Sequence, residues 1–138
     1  MSLNAFLSQN VKKVDEIEIV VSDRFVGEDG KVVPFKLIPI TAEKDEVIKA
    51  ECTVQKIGKN GKPDVKFDSV AYGRKMTVAT VSYPNLNSEE LQNSYGVMSG
   101  EELLPIMLLP GEYAQLQKRV QEVNGFKTFQ ELEDEAKN

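Results

Sequence analysis

The sequence predicts an α+β fold in which a small N-terminal β-hairpin packs on a mainly α-helical cluster. β-branched residues concentrate between residues 16 and 21, whereas helix-capping patterns and apolar residues at helical spacing dominate after residue 41. A length of 138 residues predicts one domain, large enough to bury a core without disulfide bonds or metals. We therefore expect a single domain over residues 1–138, with the hairpin at 16–40 and helices over 42–136.

The first 40 residues contain the predicted hairpin, preceded by a short helix over residues 2–9. The alternation of Glu and Ile in residues 16–19 is typical of a half-buried strand. Residues 27–30 form a predicted turn, because Asp-Gly is a strong turn dipeptide. The return strand over 32–40 contains two prolines, which cannot donate backbone hydrogen bonds, so it should be short, bulged or at an edge.

Two long helices are expected in the middle of the chain. Thr41 is the predicted N-cap of the first, from residue 42 to about 55. Three residues of this helix should face the core: Val47, Ile48 and Cys52. A Gly- and Lys-rich loop over 57–64 follows, and it lacks the spacing of a phosphate-binding loop. The second helix should begin at residue 64 or 66 and end before Pro84.

The C-terminal half carries three capping patterns, each with Ser, Thr or Asn three residues before a Glu. They are Asn87–Glu90, Ser99–Glu102 and Thr128–Glu131. The first predicts a helix to Ser94, the second a helix covering 103–108, and the third a tail helix over 129–136. Between the last two, Pro110-Gly111 should begin a helix. One face of that helix is expected to be apolar: Tyr113, Leu116, Val120 and Val123.

The composition excludes several classes of protein. The chain has no histidine, hence no Ser-His or Cys-His nucleophile pair, and its single cysteine cannot form a thiolate zinc site. A net charge of −5 argues against a nucleic-acid binder, and no apolar run is long enough to cross a bilayer. We therefore expect a soluble cytoplasmic protein that is not an enzyme, has no cofactor or metal, and contacts neither nucleic acid nor membrane.

The negative charge is concentrated in one interval. No Lys or Arg lies between Lys75 and Lys118, and five glutamates in this interval give a net charge of −5, the same as that of the whole chain. Glu pairs at helix starts stabilise N-termini and account for part of the pattern. A docking site for a partner is the other interpretation.

The same interval is rich in aromatic and apolar residues. Around Ile106 almost every position is apolar, which predicts a core helix. Met and Tyr are also typical of adaptable binding surfaces, so an exposed groove or oligomer interface remains the alternative. Eight residues are the candidates for partner binding: Tyr83, Leu86, Tyr95, Met98, Leu104, Met107, Leu108 and Tyr113.

These motifs resemble those of the XkdN-like family of tail assembly chaperones, from long-tailed phages and prophages of Gram-positive bacteria. The resemblance covers nearly the whole chain. Seven segments carry it: Leu3–Leu7, Val21–Phe25, Tyr83–Asn87, Leu91–Gly96, Met107–Tyr113, Val123–Phe126 and the acidic ending Asp134–Asn138.

The resemblance implies a non-enzymatic chaperone of the host bacterial cytoplasm that is absent from the mature virion. Its implied partners are the phage tape measure protein and the tail tube protein, and a homo-oligomer is left open. A tape measure protein is a long helical chain with exposed apolar stripes, which a small acidic protein could cover. The alternative is a structural subunit of a tail or related injection apparatus; a hydrolase built on a carboxylate pair ranks last.

Overall fold

The computed structural model describes residues 2–126 and has the predicted α+β fold class, with strands and helices in one chain. A short 3₁₀ turn at Asn4–Phe6 is followed by ten elements along the sequence. They are β1 (Ile17–Ile19), β2 (Phe35–Leu37), α1 (Ala42–Glu51), β3 (Thr53–Ile57), β4 (Pro63–Phe67), α2 (Ser69–Thr80), β5 (Val81–Tyr83), α3 (Glu89–Ser94), α4 (Gly100–Met107) and α5 (Pro110–Val123).

The predicted N-terminal hairpin is confirmed, because β1 and β2 pair antiparallel, with Ile17 opposite Leu37. The turn between them closes where the N–H of Gly27 donates to the carbonyl of Lys31 at 2.8 Å. β2 is short, as expected from its flanking prolines, and it carries a bulge between Lys36 and Leu37. It lies at the centre of a sheet of order β1-β2-β5, and both prolines fall outside its three residues.

The third strand of this sheet corrects the prediction of a helix up to Pro84. The helix α2 ends at Thr80, and the next three residues form β5, antiparallel to β2. The residue before a proline is disfavoured in helical conformation, and pairing with β2 satisfies the backbone that the helix leaves. The helix also begins later than predicted, at Ser69, because the carboxylate of Asp68 caps it by accepting from the N–H of Ala71 at 3.0 Å.

A second hairpin corrects the predictions for residues 52–67. The helix expected to reach residue 55 ends at Glu51, and the expected loop over 57–64 lies mostly within the β3–β4 hairpin. The turn requires a left-handed residue, which Gly61 supplies with φ of +72°. The region expected to be helical over 42–136 therefore contains three strands: β3, β4 and β5.

The base of the β3–β4 hairpin is fixed to helices α1 and α2. The N–H of Asp68 donates to the carbonyl of Cys52 at 2.8 Å, and the ring of Phe67 lies 5.4 Å from that of Tyr72. The Tyr72 hydroxyl donates to Asp45 of α1, and burial together with this carboxylate raises the pKa of Tyr72 to about 12. The hydrogen bond joins α1 to α2 beside the hairpin.

The core lies between the three-stranded sheet and helices α2, α4 and α5. Its buried apolar side chains include Phe35, Leu37, Met76, Val81, Leu86, Leu103, Leu104, Leu116 and Val120. Ile48 of α1 and Cys52, the C-cap residue of that helix, are buried as predicted, whereas Val47 is exposed and that part of the prediction is wrong. The expected N-terminal helix is only the 3₁₀ turn, and the side chains of Leu3 and Phe6 are exposed.

The capping predictions are confirmed at Thr41 and Ser99, whose side chains accept from the N–H groups of Lys44 and Glu102. At α3 the cap is Ser88 rather than Asn87, one residue later than predicted. The predicted cap at Thr128 and the tail helix over 129–136 lie outside the described residues.

Candidate partner-binding surface

The eight residues predicted to bind a partner divide into core and surface. Leu86, Leu104, Met107 and Leu108 are buried, which contradicts their place on a binding surface; they hold the core together. Tyr113 is half-buried on α5. The remaining three are exposed: Tyr83, Tyr95 and Met98.

Met98 is the most exposed large apolar side chain among residues 2–126, at 91%. It lies in the connection between α3 and α4, which is held on both sides. Val97 before it is buried, and Ser99 after it caps α4. The N–H of Met98 also donates to the carboxylate of Glu102 at 3.4 Å. A fixed backbone therefore presents a flexible, polarizable side chain to solvent, as binding surfaces often do.

Two further exposed apolar residues of this segment did not appear among the eight. Ile106 is exposed on α4 beside the buried Leu103 and Met107, and Leu109 is the exposed N-cap residue of α5. Helical spacing could not have found Ile106, because Ile106 follows the buried Leu103 by three residues, a spacing that normally shares a face. The apolar stretch is thus buried on one side and exposed on the other.

The first turns of α3 and α4 carry four glutamates, and α4 begins close to the segment that precedes α3. A Cβ at Gly100, the first residue of α4, would lie 3.0 Å from the carbonyl oxygen of Leu86, just before α3. We call the four residues the acidic face: Glu89, Glu90, Glu101 and Glu102. Glu101 contacts Lys75 Nζ at 3.6 Å, whereas within residues 2–126 the other three make no ion pair. The acidic face therefore keeps most of its charge for solvent or a partner.

The fifth glutamate of the interval is neutralised from a distant part of the chain. Arg24 Nη2 lies 2.6 Å from Glu112 Oε1 and also donates to the carbonyl of Met107 at 3.2 Å. Hydrogen bonds from Arg24, from Ser22 and from the N–H of Leu109 lower the pKa of Glu112 to about 2. Residues 76–117 contain no Lys or Arg, but two of their glutamates form ion pairs with cations outside this interval, Glu112 with Arg24 and Glu101 with Lys75.

The Arg24–Glu112 pair was missed by reasoning from the sequence. Its two residues lie 88 positions apart in the sequence, and no local sequence pattern indicates that they are in contact. They do belong to two of the segments that carry the family resemblance, 21–25 and 107–113. The pair fastens the N-terminal hairpin to the start of α5 and so sets the position of the α4–α5 connection.

No helix among the described residues is long and apolar enough to cross a membrane. Within residues 2–126, no group of three or more His, Cys, Asp or Glu side chains is placed to hold a metal ion.

The sequence of almost the entire chain matches a known family. The model of the "Phage XkdN-like tail assembly chaperone protein" family matches residues 3–137. The chain belongs to this family. It is thus a member of a family of phage tail assembly chaperones, as its motifs indicated.

Two proteins of Bacillus subtilis strain 168 are similar to this family member over nearly its full length. It is 33% identical to XkdN of the phage-like element PBSX over 140 residues, which covers 99% of this chain and 93% of XkdN. It is 32% identical to the uncharacterised protein YqbN over 138 residues, with the same coverage of both chains.

The fold is also similar to a crystal structure of the protein YqbN. The TM-score is 0.79 at 26% sequence identity, over 92% of this chain and 98% of that one. The element arrangement described above is therefore shared with an experimentally determined relative.

Proposed function

We propose that this chain is a tail assembly chaperone that binds the phage tape measure protein and assists assembly of the tail tube around it. The proposal rests on membership of the chaperone family and above all on Met98, a fixed and almost fully exposed apolar side chain. The proposed binding residues are Tyr83, Tyr95 and Met98, and Met98 lies beside Glu102 of the acidic face. The role is non-enzymatic, in the host bacterial cytoplasm, and the chaperone leaves before the virion is complete.

The chemistry of the surface suits a long helical partner with apolar stripes. Exposed Tyr and Met side chains cover apolar surface and adapt to different sequences. The acidic face next to Met98 gives each bound copy negative charge, so coated partner chains repel one another. Contacts that are individually weak and repeated along the partner allow tail tube subunits to displace the chaperone.

Co-expression with a phage tape measure protein tests this proposal directly. We expect the tape measure protein to become soluble and to co-purify with the tagged chaperone. If its solubility is the same with and without the chaperone, and it is not pulled down, the proposed function is wrong.

A surface variant tests the binding residues separately from the fold. Met98→Ser should reduce recovery of the tape measure protein while leaving the circular dichroism spectrum and melting temperature unchanged, because the side chain contacts almost nothing in the monomer. Phe6→Ser is the matched control, since Phe6 is 81% exposed in the N-terminal segment and is not one of the proposed binding residues. Equal losses from both variants would contradict a specific role for Met98.

Mass spectrometry of purified virions separates the chaperone from the alternative of a structural tail subunit. A chaperone should be absent from finished particles. Recovery of the chain in stoichiometric amounts would instead favour the structural subunit.

A further inference from the structure

The β3–β4 hairpin is an exposed two-stranded ribbon. All ten strand residues are exposed, and none belongs to the core or to the three-stranded sheet. An isolated two-stranded hairpin is marginally stable in water, because each strand lacks one neighbour and neither face is covered. Its free edges also offer unpaired backbone groups to another chain. A partner packed on the hairpin would cover its exposed surface.

One face of this hairpin is apolar. The register places Gln55 opposite Val65 and Ile57 opposite Pro63, so these side chains share a face. Phe67 lies on the same face at the base of the hairpin. Ile57, at the far end, is 84% exposed. The face thus carries four apolar residues and two polar ones, Thr53 and Gln55, and at the base Phe67 already packs against Tyr72 of α2.

The hairpin is also the basic part of an acidic protein. Residues 53–67 contain four lysines and one aspartate, a net charge of +3 in a chain of net −5. Two of the lysines, Lys59 and Lys62, lie in the turn, beyond the apolar residues. The ribbon is therefore complementary in charge to the acidic face.

The acidic face lies next to the base of the same hairpin. A cleft of about 360 Å³ is lined by Asp68, which follows β4 directly, by Glu101 and Glu102 of the acidic face, and by the cations Arg74 and Lys75. Lys75 bridges the two regions, since its Nζ contacts Glu51 just before β3 at 3.3 Å and Glu101 at 3.6 Å.

The turn lysines do not reach the acidic face of their own molecule. Five strand residues at about 3.3 Å each place the turn about 17 Å from the hairpin base. This is about twice the distance over which salt screens exposed charges in physiological buffer, about 8 Å. A second copy related by a twofold axis removes the separation. If two hairpins lie antiparallel, the turn of each arrives at the base of the other.

We propose that the β3–β4 hairpin is a self-association surface of this chain. In a twofold dimer the apolar faces of two hairpins pack against each other, and Lys59 and Lys62 of each copy lie against the acidic face of the other. A second copy is the occupant favoured by the structure because it carries both the matching apolar ribbon and the matching acids. The same contact is made twice, as in most closed homodimers. The proposal does not depend on the proposed chaperone function.

Sedimentation equilibrium of the full chain over a range of concentrations tests for the dimer. We expect a species of twice the 15.4 kDa chain mass, weakened as salt is raised. Ile57→Ser should increase the dissociation constant about tenfold, since one aliphatic side chain loses its burial. The matched control is Phe6→Ser, which removes an apolar side chain of 81% exposure from the N-terminal segment. It should leave the dimer unchanged.

Charge reversal on the two sides of the contact gives the sharper test. The hairpin variant K59E/K62E and the acidic-face variant E90K/E102K should each fail to form homodimers. Mixed together, they should form a heterodimer, because both contacts are then between opposite charges. K12E/K13E makes the same charge change as the hairpin variant outside the hairpin and should dimerise normally.

Recovery of the dimer on mixing also demonstrates that both variants are folded, with circular dichroism of each alone as a second check. A wild-type chain that is monomeric at all concentrations would overturn the proposal. So would a dimer unaffected by I57S and K59E/K62E together. Nucleic acid that co-purifies with a monomeric chain and is lost in K59E/K62E would assign the lysines to a different partner and would equally refute it.

Discussion

Truncation of Leu104 distinguishes a core residue from a binding residue within the same apolar segment. Leu104 has no exposed surface and packs in the core with Leu103 and Leu116. Leu104→Ala removes buried apolar atoms and leaves a cavity, because neighbouring side chains relax only in part. Such truncations cost about 2–5 kcal/mol of unfolding free energy, and full burial places this one at about 3 kcal/mol or more.

Urea denaturation followed by circular dichroism measures the loss, with thermal melting as a second assay. For a chain of this length 1 kcal/mol corresponds to about 3–4 °C, so the melting temperature should fall by about 10 °C. Met98→Ala is the matched control, because a 91% exposed side chain should change stability by less than about 0.5 kcal/mol. If L104A is as stable as M98A, the assignment of Leu104 to the core is wrong.

Three further variants test individual contacts. The pKa of Glu112 is lowered to about 2, so its ion pair should stabilise the fold fully above about pH 4.5 and progressively less towards pH 2. In E112Q the free energy of unfolding should lack this dependence on pH, which urea titrations at several pH values measure. The pKa of Tyr72 is raised to about 12, so its hydrogen bond stabilises the fold below pH 10 and is lost as the pH rises towards 12; Y72F should be less stable at pH 8 and show less alkaline loss. Gly100→Ala places a Cβ 3.0 Å from the carbonyl oxygen of Leu86 and should cost about 1–3 kcal/mol, whereas Gly111→Ala meets nothing within 4 Å and should be neutral or slightly stabilising in the same melts.

Local signals predicted the elements that local chemistry determines. The cap at Ser99 could be read from the sequence because its hydroxyl and the N–H it satisfies lie three residues apart. The N-terminal hairpin followed from a period-two pattern and an Asp-Gly turn, both within 25 residues. The apolar face of α5, with Leu116 and Val120 buried, followed from helical spacing.

The elements that depend on tertiary contacts could not be predicted in the same way. β5 is three residues long and acquires its hydrogen bonds only from β2, more than 40 residues earlier. In the β3–β4 hairpin only β4 alternates apolar and polar residues, β3 does not, and the Gly-rich turn between them predicted a loop. In the proposed binding segment, where almost every residue is apolar, the sequence does not indicate which apolar side chains are buried and which are exposed. Leu108 and Leu109 are adjacent and chemically identical, yet only the second is exposed.

The two proposed interactions share one surface, and they should therefore compete. Met98 lies one residue before the cap of α4, and its N–H is bound by Glu102 of the acidic face. A hairpin of a second copy on that face would cover the position where the tape measure protein is proposed to bind. A long partner with many equivalent apolar stripes binds more strongly because its binding sites are repeated, whereas the dimer is held by a single twofold contact. We therefore expect a soluble tape measure fragment to shift the chain from dimer to complex in sedimentation velocity. Simultaneous binding, with the dimer intact, would place the two contacts on separate surfaces.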